Sequence, residues 1–218
     1  MERLSGNLID QYNYNIDHFI NVKKIVKHKK DKIARKMHLE YALSQINIEG
    51  MILEFGVASG TTINHISSIQ LQNQVYGFDT FTGLPEPWNR SSNFIFNKGH
   101  FSVSALPEVN NNVTLIPGLF EDTLPKFISN NNNSVCFLHI DCDLYSSTKT
   151  VLKLLNKQII PGTVIVFDEF YPFNDYNRHT NWENDEFKAC KEWLEDFNRK
   201  IEVVSRSSKQ QICVKVVK

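Results

Sequence analysis

The sequence contains no apolar run approaching the roughly 20 residues that a membrane-spanning helix needs. Its opening stretch, MERLSGNLIDQYNYN, also lacks the apolar core of a signal peptide, so a cytoplasmic location is the expectation. Charge of one sign is missing too: 24 Lys and Arg balance 24 Asp and Glu. No overall field therefore draws the chain to nucleic acid or to a membrane surface. Cysteine is scarce, and Cys136, Cys142, Cys190 and Cys213 show neither paired metal-ligand spacing nor a disulfide ladder. Cys136 and Cys213 lie in strand-like apolar runs, where a free thiol behaves as a small hydrophobe. Cys142, between two aspartates, is a candidate nucleophile with no histidine placed to activate it. Internal repeats are absent.

What is there fits one domain: 218 residues with 41% hydrophobic and 11% aromatic content can bury a sizeable core. Residues 8–46 read as helix, in two pieces. Ile33, Met37 and Tyr41 recur at i, i+4, with Leu39, Leu43 and Ile46 widening the stripe. The basic stretch KKIVKHKKDKIARK (23–36) reads as a solvated helix face, with contact to a phosphate-bearing substrate or an acidic partner as the alternative. From Met51 the pattern alternates. MILEFG (51–56), VYGFD (75–79), VTLIPG (113–118), VCFLHID (135–141) and TVIVFDE (163–169) read as strands, with helices over 61–70 and 146–156. Such alternation predicts an α/β fold, a parallel sheet with helices on both faces.

The tail breaks that rhythm. Thr180 and Glu183 make a capping-box signature ahead of a helix whose face carries Phe187, Cys190, Leu194 and Phe197. Residues 201–217 read as a hairpin. The segment 80–112 is too long for a plain crossover and carries Phe81, Leu84, Trp88, Phe94, Phe96 and Phe101. It reads as a candidate lid, or else as an irregular buried loop.

In open parallel sheets ligands bind at the carboxyl ends of the strands, near the point where strand order reverses. Four polar signals fall at such ends. The first is the loop Glu54-Phe-Gly56-Val-Ala-Ser59-Gly60, whose glycines permit a tight turn and close approach to a ligand, ahead of helix N-terminal amides. It is not a GxGxxG, which disfavours an NAD-dependent oxidoreductase or epimerase. Glu54 offers a carboxylate to an amino-acid ligand's ammonium. The second signal, Asp79, can accept ribose hydroxyls, although a turn or capping role is the bland alternative. The third and fourth are Asp141-Cys-Asp143 and Asp168-Glu169, at the ends of strands expected to be neighbours. A strand period of two places Asp141 and Asp143 on one side. Four converging acids would repel one another and raise each other's pKa values. A hard divalent cation with oxygen ligands relieves that, and separate acids capping different helices are the alternative. A metal there can bind a substrate hydroxyl and lower its pKa while a neighbouring carboxylate takes the proton. His139, inside a strand run, reads as a satisfied core histidine; His100 in the lid is a candidate substrate contact.

At LEFGVASGTT (53–62), VYGFDTFTGLPEPW (75–88), KGHF (98–101), PGLFEDTLP (117–125), LHIDCDLYSST (138–148) and PGTVIVFDEF (161–170) the chain resembles the macrocin O-methyltransferase family. These are class I enzymes that methylate sugar hydroxyls of natural products. The resemblance implies a seven-stranded Rossmann-like sheet closed by a C-terminal antiparallel hairpin strand, S-adenosylmethionine as methyl donor, and a magnesium ion. It implies one methyltransferase domain over 1–218, with a helical extension over 1–48 and the lid over 80–112. Glu54, Gly56, Ser59, Gly60 and Thr61 resemble the cofactor loop. Asp79, with Thr80 and Phe81, resembles the ribose site, and Gly118 and Phe120 the adenine edge. Asp141, Asp168 and Glu169 resemble the metal ligands, with Asp141 also at the cofactor. Asp143 resembles the general base, with Asp141 beside it in the catalytic set. Many relatives carry Asp-Asp-Tyr where this chain has Asp168-Glu169-Phe170, and the longer glutamate arm moves the ion or lets water intervene. The implied acceptor is a small-molecule hydroxyl, on a sugar or nucleotide sugar. Phe94, Phe96, Tyr171, Phe173 and Tyr176 suit stacking on sugar faces or plain packing, and the N-terminal helices offer a homodimer surface. A binding protein that keeps the fold without turnover is the alternative, against which the intact acidic set argues.

Overall fold

The computed structural model describes Phe19, Val22 and residues 24–173 and 178–218. Most of the first part of the helical stretch expected over 8–46, and Tyr176, lie outside these residues. In chain order the elements are β1 (Ile25–Val26), α1 (Asp31–Leu43), β2 (Met51–Phe55), α2 (Thr61–Ile69), β3 (Val75–Asp79), β4 (Trp88–Ser91), β5 (Phe94–Phe96) and β6 (Val113–Pro117). They continue with α3 (Phe120–Asn130), β7 (Val135–Ile140), α4 (Tyr145–Leu154), β8 (Ile159–Phe167), a 3₁₀ turn (Trp182–Asn184), α5 (Glu186–Asp196), β9 (Ile201–Ser207) and β10 (Ile212–Val216).

The main sheet runs β1-β9-β10-β8-β7-β2-β3-β6, with β10 antiparallel to both its neighbours. Among the described residues it has eight strands, one more than the expected seven. The extra strand is the two-residue β1, paired parallel to β9 at Ile25–Arg206 and Val26–Ser207. So short a pairing leaves no periodic signal, which is why it reads as helix in the sequence. The hairpin expected over 201–217 forms as β9 and β10.

Strand side chains alternate between faces, and the two faces carry separate cores. Leu53, Phe55, Ile165 and Phe167 pack with Leu124 and Phe127 of α3, Val151 and Leu152 of α4, and Cys190, Trp193 and Leu194 of α5. Ile52, Val164 and Val166 point the other way, onto Leu39, Ala42 and Leu43 of α1 and Ile63 and Ile66 of α2. β7 is buried from end to end, as a central parallel strand covered on both faces must be.

Two helix readings need correction. On α1 the apolar line Ile33, Met37 and Tyr41 faces outward, with Ile33 39% and Met37 40% exposed. The buried face is Ala34, His38, Leu39, Ala42 and Leu43. Leu39 and Leu43 of the expected stripe are buried and Ile46 packs on them, while the small Ala34 and Ala42 take the place expected of Ile33 and Met37. In the tail, Thr180 and Glu183 do not cap the helix: a 3₁₀ turn intervenes, and α5 starts at Glu186 with no side-chain cap hydrogen bond. On α5 the buried set is Ala189, Cys190, Trp193 and Leu194, while Phe197 is exposed. Within 80–112 the structure adds the antiparallel pair β4–β5. Its Trp88 indole stacks on Phe96 and donates to Asp185 Oδ2 at 2.9 Å, which ties the hairpin to the loop before α5. Among the described residues no helix is long and apolar enough to cross a membrane.

Candidate active site

The strand order reverses between β2 and β7, and a cavity of about 520 Å³ opens at the carboxyl ends there. That volume is in the range of a small-molecule site. One side is Gly56, Ala58, Asp79, Thr80, Leu119, Phe120 and Glu121; the other includes Asp141, Cys142, Asp143 and Glu169. Trp88 and Arg90 from the β4–β5 hairpin, Ser146, Ser147 and Thr150 from α4, and Arg35 from α1 also line the cavity.

Backbone geometry builds the first side. Gly56 has φ +92°, and a Cβ there would stand 1.8 Å from the Asp141 carbonyl oxygen, so only glycine lets β2 turn away so close to β7. The loop is then clasped by Asp79. Its Oδ2 accepts the amides of Val57 and Ala58, both at 2.8 Å, and its Oδ1 accepts the amide of Phe81 at 2.8 Å. The carboxylate thus holds two turns together, and it still borders the cavity.

The sequence-derived site residues divide. Gly56, Asp79, Thr80, Phe120, Asp141, Asp143 and Glu169 line the cavity. Glu54, Ser59, Gly60, Thr61, Phe81 and Gly118 stand outside its walls, and so does Asp168. Ser59 and Thr61 bond each other through their hydroxyls at 3.0 Å on the exposed side of the loop. Phe81 is buried in the core beneath α1 and α2. Glu54 is fully buried and accepts from His139 Nδ1 at 2.8 Å, so it is committed to the sheet interior rather than presented to a ligand. Asp141 and Asp143 reach the same cavity for a different reason from strand periodicity. β7 ends at Ile140, and Asp143 sits in the left-handed region with φ +63°.

The acids do converge. Oxygens of Asp141, Asp168 and Glu169 lie within 4.8 Å of one another, and the cation among them is the Arg35 guanidinium. Arg35 Nη2 donates to Asp141 Oδ2, and its Nε lies 2.8 Å from Asp168 Oδ1. Sequence reasoning missed Arg35. It is the only arginine in a run of lysines, and nothing local separates it from a solvated basic face. Behind it, His139 Nε2 lies 3.5 Å from Asp168 Oδ1, making a chain Glu54–His139–Asp168–Arg35–Asp141 that is buried at its first three members and half-buried at the last two. Burial opposes charge on His139, yet hydrogen bonds to Asp168 and Glu54 raise it to about 9. Burial would raise Asp168, but Arg35 and His139 bring it down to about 2. Burial and then the Asp141 charge push Asp143 well above the usual carboxylate range, with Arg90 opposing. Glu169 is raised by burial and the neighbouring acids; its Oε1 accepts from Gln210 at 2.7 Å. Its backbone amide donates to the fully buried Glu186, another acid not foreseen from the sequence.

Cys142 is buried, and burial lifts its thiol well above the usual range, against a nucleophilic role. His100 packs against the rings of Phe96 and Phe101, outside the cavity wall. On α4 the Lys149 ammonium donates to the Tyr145 hydroxyl at 2.7 Å. Both side chains bond Glu192 on α5, and neither borders the cavity.

Among solved structures the chain is similar to the calicheamicin methyltransferase CalS11, with 19% identity, TM-score 0.69, and coverage of 92% of this chain and 82% of that one. It is similar to the O-methyltransferase NovP, with 19% identity, TM-score 0.60, and coverage of 85% and 81%. The mycinamycin-pathway methyltransferase MycE follows with 13% identity, TM-score 0.54, and coverage of 84% and 49%. These likenesses establish the class I methyltransferase fold. No curated protein sequence matches the chain. A family model described as a methyltransferase domain matches residues 53–170. That span runs from β2 through the end of β8 and contains the glycine loop, Asp79 and all four strand-end acids. With more than half of its length matched there, the chain belongs to this methyltransferase-domain family.

Proposed function

We propose that the protein is an S-adenosylmethionine-dependent O-methyltransferase acting on a hydroxyl of a sugar or glycosylated small molecule. The observation that carries this reading is one cavity with two chemically distinct sides. A glycine loop clasped by Asp79 suits a nucleoside, and Asp141, Asp143 and Glu169 face it across the same space. The reading accords with similar folds, since CalS11 is described as a TDP-rhamnose 3'-O-methyltransferase and MycE was crystallised with magnesium and S-adenosylhomocysteine.

S-adenosylmethionine supplies a methyl group already activated on a sulfonium. The chain's own work is then to align an oxygen nucleophile with that carbon and to exclude water. Gly56, Ala58, Asp79, Thr80 and Phe120 take the nucleoside side. Asp143 takes the hydroxyl proton. Its raised basicity brings it closer to the hydroxyl it serves, and the methyl carbon inverts on in-line attack. The segment 80–112 covers the acceptor side through Trp88 and Arg90.

The magnesium expectation fares less well on this donor set. Asp168 Oδ1 faces Arg35 and His139, its Oδ2 accepts from Gln211, and Glu169 Oε1 accepts from Gln210. A divalent ion here would have to displace the Arg35 guanidinium from Asp141 and Asp168 and complete its shell largely with water.

The test is thermal stabilisation by S-adenosylhomocysteine compared with NAD, followed by mass-spectrometric detection of methylated products from a panel of nucleotide sugars and glycosylated small molecules. Stabilisation by NAD alone would overturn the assignment.

A further inference from the structure

We propose that Arg35 is the resident cation of the strand-end acids, standing where a divalent metal would otherwise be required, so that this protein binds no such metal there and turns over without one. The activity part rests on the methyltransferase reading; the metal-binding part does not.

Three observations support it. The first is position. The guanidinium reaches between Asp141 and Asp168, the two acids a metal would bridge, and it borders the cavity. A planar five-donor fork suits two carboxylates at once, as the ammonium of lysine does not. The second is that Arg35 is delivered by a fixed helix. α1 buries Ala34, His38, Leu39 and Ala42 against the sheet. His38 Nε2 bonds Ser205 Oγ of β9 at 3.0 Å, one turn along the helix from Arg35. Asp31 at the start of α1 pairs with Lys209 at 3.1 Å. The third is donor supply. With Arg35, His139, Gln210 and Gln211 in place, Asp141 Oδ2 and Asp168 Oδ1 lie against the guanidinium, Asp168 Oδ2 accepts from Gln211, and Glu169 Oε1 accepts from Gln210. Magnesium can sit on one or two carboxylates with water completing its shell, but here it would have to displace the guanidinium to reach Asp141 Oδ2 and Asp168 Oδ1.

Arg35 thereby acts as a positioning residue for Asp141 and Asp168, and its charge faces the space where an acceptor oxygen would lose its proton. Helix α1 becomes part of the site rather than an appendage to it.

The experiment titrates Mn2+ into the full chain by calorimetry and by manganese paramagnetic resonance, for the natural protein and for R35A, with R35Q as a milder variant should R35A misfold. The natural protein is expected to show no binding at submillimolar Mn2+. The variant, freed of its internal cation, is expected to bind at least about tenfold more tightly. Turnover of the natural protein should survive EDTA, and that of R35A should fall and be partly restored by Mn2+. Micromolar Mn2+ binding by the natural protein, or loss of its turnover in EDTA, overturns the proposal. So does a folded Arg35 variant whose Mn2+ affinity is unchanged. A protein that fails to bind S-adenosylhomocysteine would overturn the functional reading while leaving the manganese result standing on its own.

Discussion

Replacing Asp79 by asparagine isolates how much of the cavity depends on one carboxylate. Asp79 accepts three backbone amides, from Val57 and Ala58 at one oxygen and from Phe81 at the other, each at 2.8 Å. Asparagine keeps the shape but has a single acceptor oxygen. If that oxygen serves Val57 and Ala58, its NH2 group confronts the Phe81 amide, and one charge-assisted bond worth about 1.5–3 kcal/mol is lost. The two bonds that remain weaken because their acceptor is now neutral. Turning the amide the other way sacrifices two bonds instead. A total near 3 kcal/mol follows, equivalent to a fall in Tm of roughly 6–12 °C for a domain of this size. The same loosening moves the Gly56–Ala58 turn that borders the cavity, so affinity for S-adenosylhomocysteine should drop by at least about tenfold. Differential scanning fluorimetry gives the first number and titration calorimetry the second. A D79N protein that melts within a degree or so of the natural one would refute the clasp. Normal melting with lost ligand binding would point instead to Asp79 acting on the ligand alone.

D143N should lower turnover by at least about 100-fold, the usual contribution of a positioned general base. Its S-adenosylhomocysteine affinity should hold, because Asn tolerates the left-handed backbone at this position; loss of both would mean that the base is misassigned. A pH dependence of stability follows from His38, which burial lowers to about 4. Below its unfolded value of about 6.5 the unfolded chain takes up a proton that the folded chain refuses, so stability is lost as pH falls from about 6.5 to about 4. The full loss is on the order of 3 kcal/mol. Urea denaturation across that window should show the natural protein losing ground to H38Q, and parallel curves would refute the assignment.

Much of the frame is legible in the sequence because it rests on local patterning. The runs at 51–55, 75–79, 113–117 and 135–140 are apolar and bounded by Gly, Asp or Asn, and the strands form there within a residue or two. The hairpin at 201–217 and the helix from Thr61 follow from the same signals. The strand-end acids Asp79, Asp141, Asp143, Asp168 and Glu169 are legible too, since parallel strands bring their carboxyl ends to one edge.

Local pattern is silent on what those acids hold. Glu54 and Asp79 look alike in sequence, each an acid at or near the end of an apolar run. Only the sheet decides that one is sealed against His139 while the other clasps two turns at the cavity. The face of α1 is likewise a tertiary decision, made by how closely Ala34 and Ala42 let the helix approach. That choice turns Arg35 inward, across more than 100 residues of sequence, onto Asp141 and Asp168. The sequence by itself determined the alternating framework and the edge where chemistry gathers, because period and punctuation are local properties. The tertiary structure alone decided which charge answers the acids, because an ion pair between a helix and distant strand ends exists only once the core has set both in place.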